Sequence, residues 1–169
     1  MKRSIAPFGN ESIRLRLIEE RDLEKTLSWR NRDDARVWFK NSSQLTFEQH
    51  QAWFHRYLKR DDDFLFVVEV GGQLVGQASV YDIQWDVASA EIGRFLVAPN
   101  SGGKGYIGAA CDSLIQFCAD TFNLEYLFLE VIETNDLAIR LYQRNGFLEE
   151  LRHGGLVRMG RTLVEKGRL

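Results

Sequence analysis

Residues 101–108 form the most chemically capable cluster in the chain, Ser101-Gly102-Gly103-Lys104-Gly105-Tyr106-Ile107-Gly108. Glycine has no Cβ, so such a segment can turn its backbone N–H groups onto a ligand at close range. A helix starting here would add unpaired first-turn amides and the positive end of its dipole. Lys104 supplies a full positive charge. The predicted chemistry is anion binding, with phosphate or diphosphate as the natural ligand. A plain strand-to-helix turn is the simpler reading, but it does not need three glycines in four residues beside a lysine.

Two phosphate-binding motifs can be tested against this spacing. A Walker-type loop, G-x-x-x-x-G-K-[ST], would put its first glycine at Ala98 and finds Gly105 where Ser or Thr should hold magnesium, so it fails. A dinucleotide fingerprint, G-x-G-x-x-G, is formally present at Gly103, Gly105 and Gly108, with Glu130 about 22 residues beyond. Pro99 to Gly102 separate that loop from its strand, and the short chain after Glu130 reads as antiparallel. Both features count against a dinucleotide-binding protein.

The loop must be held by its neighbours. Ile92 to Ala98 reads as a strand that Pro99 and Asn100 stop. Beyond the loop, Ile107, Ala110, Cys111, Leu114, Ile115 and Cys118 recur at helical spacing. Upstream, Ile13 to Leu17 alternates as a strand does, and Glu19 to Trp29 reads as a helix. Asn31 to Ser43 is irregular. Thr46-Phe47-Glu48-Gln49 fits a capping box, so a second helix should run to about Arg60. Phe64 to Val70 and Leu74 to Tyr81 read as strands joined by Gly71-Gly72, with Gly76 as a bulge marker and a loop over Asp82 to Ser89. Tyr126 to Ile132 is an apolar strand. Asn135 and Asp136 can cap a helix over Leu137 to Asn145, with Gly146 at its left-handed end. Phe147 to Arg152 and Leu156 to Val164 close the order as two strands. Strands and helices in this order give a mixed α/β or α+β domain.

The 169 residues are expected to form one domain, 1–169, with 1–12 as a loose leader. A net charge of −2 offers no general attraction to nucleic acid or an anionic membrane, so any anion site must be local. No apolar run suits a signal peptide or a membrane span, and a cytoplasmic protein is expected. Cys111 and Cys118, about 10 Å apart along one helix at ~1.5 Å per residue, cannot bridge each other and read as core thiols. No Cys/His spacing suggests a metal.

The central stretch and the segment Asn135 to Phe147 resemble the acetyl-CoA-binding motifs of the GNAT superfamily of N-acetyltransferases. There, a strand ending V-x-P precedes a [QR]-x-x-G-x-[GA] loop and a long helix, and an N-x-x-A-x-x-x-Y-x-x-x-G-F helix follows. The second motif matches at every marked position: Asn135, Ala138, Tyr142, Gly146 and Phe147. In the first, Gly102 stands at the Gln/Arg position and Ile107 at the final small one. The resemblance implies the GNAT fold, a single mixed and mostly antiparallel sheet splayed at its middle strand and flanked by helices.

It also implies site roles. The strand carrying Phe95, Leu96 and Val97 would part from its neighbour at a bulge and offer backbone groups to the pantetheine arm, one N–H polarising the thioester carbonyl. Amides in the segment from Gly102 through Gly103, Lys104, Gly105, Tyr106 and Ile107 to Gly108 would hold the pyrophosphate. Asn135 would bond the cofactor, or only cap its helix. Tyr142 would protonate the departing thiolate, a role a phenol can fill; its alternative is a core aromatic. Glu91 stands where many relatives place the carboxylate that deprotonates the amine, though it could equally be a solvated strand-end charge. His50, the one histidine on the predicted acceptor-side helix, is a second candidate base, and His153 a weaker one.

The first half, with Trp29-Arg30-Asn31, Thr46 to His50 and Trp53-Phe54, resembles GNAT enzymes that acetylate amino-sugar nucleotides in pseudaminic acid and related glycan pathways. It shares part of its pattern with ribosomal-protein N-terminal acetyltransferases. Trp29, Asn31, Trp38, His50 and Trp85 are the candidate acceptor-binding residues, since aromatic and amide groups can stack on a sugar or base and bond hydroxyls. The expected activity is direct transfer of acetyl from acetyl-CoA to a primary amine by a monomer or homodimer. Protein N-termini, polyamines and a non-catalytic CoA-binding module are the alternatives.

Overall fold

Apolar runs become the strands of one eight-stranded sheet, and the amphipathic segments become the helices that cover it. The computed structural model describes residues 1–163. In chain order the elements are β1 (Phe8–Gly9), β2 (Arg14–Leu17), α1 (Leu23–Arg30), α2 (Asp33–Arg36), α3 (Phe47–Tyr57), β3 (Asp63–Val70), β4 (Gln73–Gln84), β5 (Ser89–Val97), α4 (Tyr106–Asp120), β6 (Tyr126–Ile132), α5 (Asp136–Arg144), β7 (Leu148–His153) and β8 (Leu156–Thr162). Spatial order is β1-β2-β3-β4-β5-β6-β8-β7, antiparallel except for the β5–β6 pair. The antiparallel strands β6, β8 and β7 cannot complete a dinucleotide-binding fold, which removes that reading.

Local chemistry explains the framework. Gly71 and Gly72 both take positive φ, as the tight hairpin between β3 and β4 requires. The Thr46 hydroxyl accepts from Gln49 N, and the Gln49 side chain accepts from Thr46 N, closing the capping box that starts α3. Strand β3 is buried on both faces. Phe64, Phe66 and Val68 face the core under α4, with Ala110, Leu114 and Cys118, while Leu65 and Val67 pack on Leu23, Phe54 and Tyr57 of α1 and α3. Burial on both sides is why this strand reads as a continuous apolar run. Cys111 and Cys118 lie in the α4 core, and burial raises both thiols, Cys111 to about 12. They stay protonated and are no nucleophiles.

Several expectations need correction. Residues 1–12 do not form a loose leader: β1 pairs with β2, and Phe8 stacks on Phe117 at 4.2 Å between ring centroids. Lys2 sits over the Tyr57 and Phe64 rings, where desolvation lowers it to about 8. Two strand residues and one distant aromatic contact leave no periodic signal. The Glu19–Trp29 helix opens as a 3₁₀ turn, Glu20–Asp22, before α1, because buried Asp22 turns back to accept from Glu19 N and from Arg16. Strand β4 continues to Gln84, into the expected loop, and α2 forms inside the stretch read as irregular. Val164, the last residue of the final predicted strand, lies outside the described residues. No helix among them is long and apolar enough to cross a membrane, and they hold no cluster of metal-ligating side chains.

Candidate active site

The site is built where β5 leaves β6. The two strands pair in parallel only from Ser89 to Glu91, against Tyr126 to Phe128. Beyond that point β6 continues against β8, while β5 stays with β4. A bulge marks the divergence: Ser79 faces Gly93 and Gln77 faces Leu96, so Ala78 opposes both Arg94 and Phe95. Arg94 takes φ +54°, a left-handed conformation that costs a non-glycine residue roughly 1–3 kcal/mol. Three contacts hold it there. Its carbonyl accepts from Gln77 Nε2 at 2.9 Å, its Nη1 donates to buried Asp63 at 2.8 Å, and its guanidinium lies over the Tyr81 ring at 4.1 Å.

The glycine loop sits at the end of this parting strand. Gly103 and Gly105 have φ +74° and +77°, and Gly105 is the N-cap of α4. A Cβ built at Gly102, Gly103 or Gly105 would meet nothing within 4 Å. These glycines are therefore explained by backbone angle and by an open approach, not by crowding. The N–H groups of Tyr106, Ile107 and Gly108 have no backbone partner among the described residues, as expected of a first helical turn. Ile107 does not crowd the loop, because its Cδ1 points to the sheet at Gly76, where a Cβ would come within 2.9 Å of it. Gly76 also tolerates no side chain against the Leu96 carbonyl.

Helix α5 closes the opposite wall. Asn135 Oδ1 accepts from Ala138 N at 3.3 Å and so caps the helix, while Gly146 takes the left-handed position just past its end. Tyr142 stands between Phe95 of the bulged strand, 5.6 Å between ring centroids, and Phe147. Burial raises its phenol, with a smaller contribution from Cys111, and keeps the proton on.

These elements line one cleft of about 970 Å³. It brings together Glu91, Phe95, Leu96, Val97, Gly102, Gly103, Gly105, Tyr106, Ile107, Gly108, Asn135 and Tyr142. Lys104 is exposed and is not part of the wall. Of the five candidate acceptor residues, only Trp38 lines the cleft. Trp29 is buried against Leu96 and Ala98. Asn31 clips the Leu45 backbone through both amide atoms. The buried His50 bonds the Thr26 hydroxyl at 3.0 Å, and desolvation, helped by nearby Arg30, lowers its pKa. Trp85 packs edge-on against Phe122 and under Arg3. His153, the last residue of β7, is outside the wall as well.

Sequence reasoning missed the polar part of the wall. Arg30, Arg32, Phe39, Lys40, Tyr81 and Arg94 all line it. Arg30 Nη1 is buried without a hydrogen-bond partner among the described residues. Arg32 Nε is in the same state, with Asp34 only 3.5 Å away, while its Nη2 donates to the Val97 carbonyl at 2.7 Å. The sole signal was the basic, aromatic composition of residues 30–40.

Comparison with known proteins agrees with this geometry. The family model described as an acetyltransferase (GNAT) domain matches residues 12–148. The spermidine N(1)-acetyltransferase of Vibrio cholerae is 27% identical over 143 residues, covering 83% of this chain and 82% of that protein. The acetyltransferase PseH of Campylobacter jejuni is 25% identical over 130 residues, covering 77% and 79%. A crystal structure of spermidine N-acetyltransferase from Vibrio cholerae in complex with CoA and spermine superimposes with a TM-score of 0.82 at 24% identity, over 90% of this chain and 96% of that one. The chain belongs to the GNAT acetyltransferase family and is an acetyl-CoA-dependent N-acetyltransferase.

Proposed function

We propose that the cleft transfers acetyl directly to a primary amine carried on an anionic molecule, an amino-sugar nucleotide being the best fit. The observation that carries the site assignment is the parting of β5 from β6 beyond Glu91, which ends at the glycine loop. Acetyl-CoA brings an acetyl group activated as a thioester. The amides of 102–108 would hold its diphosphate, and Asn135 would contribute a polar contact while capping α5. The exposed edge of β5 along Phe95, Leu96 and Val97 would take the pantetheine amides, with one freed N–H polarising the thioester carbonyl. Glu91 would accept the proton of the incoming amine, directly or through water. The Tyr142 hydroxyl, kept protonated by burial, would donate to the departing sulfur. With Cys111 and Cys118 in the core, no acyl-enzyme is needed.

Charge on the first-half wall supports the acceptor class. Residues 30–41 contribute Arg30, Arg32 and Lys40 to the cleft and no acidic residue. The charges of Arg30, Arg32 and Lys40 would attract phosphate or carboxylate oxygens, and Trp38 and Phe39 offer faces for a base or sugar. A polyamine, the acceptor named for the Vibrio cholerae relatives, is a polycation and would meet these groups with like charge, while Asp82, Glu91 and Glu130 elsewhere on the wall would favour it. It stands as the second reading because of those relatives. The test is an acceptor panel of a UDP-linked 4-amino sugar, spermidine and a peptide with a free N-terminus, followed by CoA thiol release. The nucleotide-linked amine is expected to give the highest kcat/KM; a preference for spermidine would replace this reading.

A further inference from the structure

The face of the sheet under the cleft carries a row of polar side chains of which the mechanism above uses only Glu91. Asp63 of β3 pairs with Tyr81 of β4, which pairs with Glu91 of β5, so all three project from one face in adjacent strands. The Tyr81 hydroxyl donates to Glu91 Oε2 at 2.6 Å. Its ring is covered by the Arg94 guanidinium, which is itself tied to Asp63. Gly93 completes the fit, since a Cβ there would lie 2.7 Å from the Tyr81 hydroxyl. A side chain at 93 would push that hydroxyl off the carboxylate.

We propose that Tyr81 is a positioning residue for the Glu91 carboxylate, and that the Asp63–Arg94 pair holds Tyr81 in turn. This rests on Glu91 acting as the base. A carboxylate at a strand end has several rotamers, and one charge-assisted hydrogen bond on Oε2 fixes its plane and leaves Oε1 for the amine or for a water. The arrangement links the two halves of the bulge, because the residue that opens the strand also supports the tyrosine that aims the base. Other charges near Glu91 are Asp82, next to Tyr81 and bonded to Arg60, and Arg158 of β8, whose guanidinium lies over Phe128, the neighbour of Glu91 on β6. Glu130, further along β6, is held by Lys40. None of these supplies the hydrogen bond that Tyr81 gives.

The experiment compares Tyr81→Phe, Glu91→Gln and the double variant for acetyl-CoA affinity, thermal stability, and kcat and KM measured separately. The Tyr81→Phe enzyme should bind acetyl-CoA normally and lose roughly tenfold in kcat/KM. The loss should fall on kcat, because a misaimed carboxylate slows proton removal without disturbing the binding of either ligand. In the Glu91→Gln background the same substitution should cost little more, since the two residues act as a unit. A loss confined to KM, or an equal loss in both backgrounds, gives Tyr81 a merely structural role and overturns the proposal. If Glu91→Gln itself keeps full rate, the base assignment fails first, and the positioning role falls with it.

Discussion

The two halves of the cleft are built from different materials. The wall from β5 through the glycine loop to α5 is largely backbone: a parted strand, a bulge, left-handed glycines and a helix N-terminus. The wall from residues 30–41 is side chain: two arginines with unpaired N–H groups, a lysine and two aromatics. A backbone site needs particular residues at particular angles, because few residue types tolerate φ near +75° or an approach as close as that at Gly76. A side-chain site needs only that some residues project inward, which the packing of α1, α2 and α3 decides.

Four perturbations separate the walls, with the largest effect first. Tyr142→Phe removes one oxygen from the backbone-built half and should lower kcat by about 10²–10⁴ with little change in acetyl-CoA affinity, as steady-state kinetics and calorimetry would show. A loss in affinity alone would make Tyr142 a wall residue. Trp29→Ala should cost about 3–5 kcal/mol of stability in denaturant unfolding, because Trp29 packs beneath Leu96 and Ala98. A normal unfolding midpoint with a raised acceptor KM would return Trp29 to the acceptor site.

Gly105→Ala keeps space open but strains the N-cap backbone, at about 1–2 kcal/mol. Roughly tenfold weaker acetyl-CoA binding should follow, without a matching change for the acceptor. Equal weakening of both would show that the loop does not belong to the cofactor half alone. His50→Gln is the smallest. Burial holds the His50 pKa below 6.5, so unfolding takes up a proton and stability is lost as pH falls below about 6.5 toward the folded value. The variant should flatten that acid loss in thermal melts and leave the pH profile of kcat/KM unchanged. A shifted activity profile would make His50 part of the catalytic machinery.

The same contrast explains what could be read from residues alone. The Gly102–Gly108 loop, the Thr46–Gln49 capping box, the Gly71-Gly72 hairpin and the Asn135 to Gly146 helix all carry short local signatures, and each took the expected conformation. Trp29, Asn31, His50 and Trp85 carry chemistry in their side chains, but tertiary packing turned them to Leu96, the Leu45 backbone, Thr26 and Phe122. Arg94 gave no warning of its left-handed angle, because the contacts with Asp63 and Gln77 that hold it come from other strands. Phe8 was illegible for the same reason: its partner Phe117 lies on α4, far along the chain.

The central claim is that the gap between β5 and β6, ending at the 102–108 amides, is the cofactor site. A crystal structure of the protein grown with CoA tests it most directly. The account predicts pantetheine density along Phe95 to Val97 and the diphosphate on the amides of 102–108. CoA bound elsewhere, or β5 and β6 closed onto each other through Val97, would contradict it.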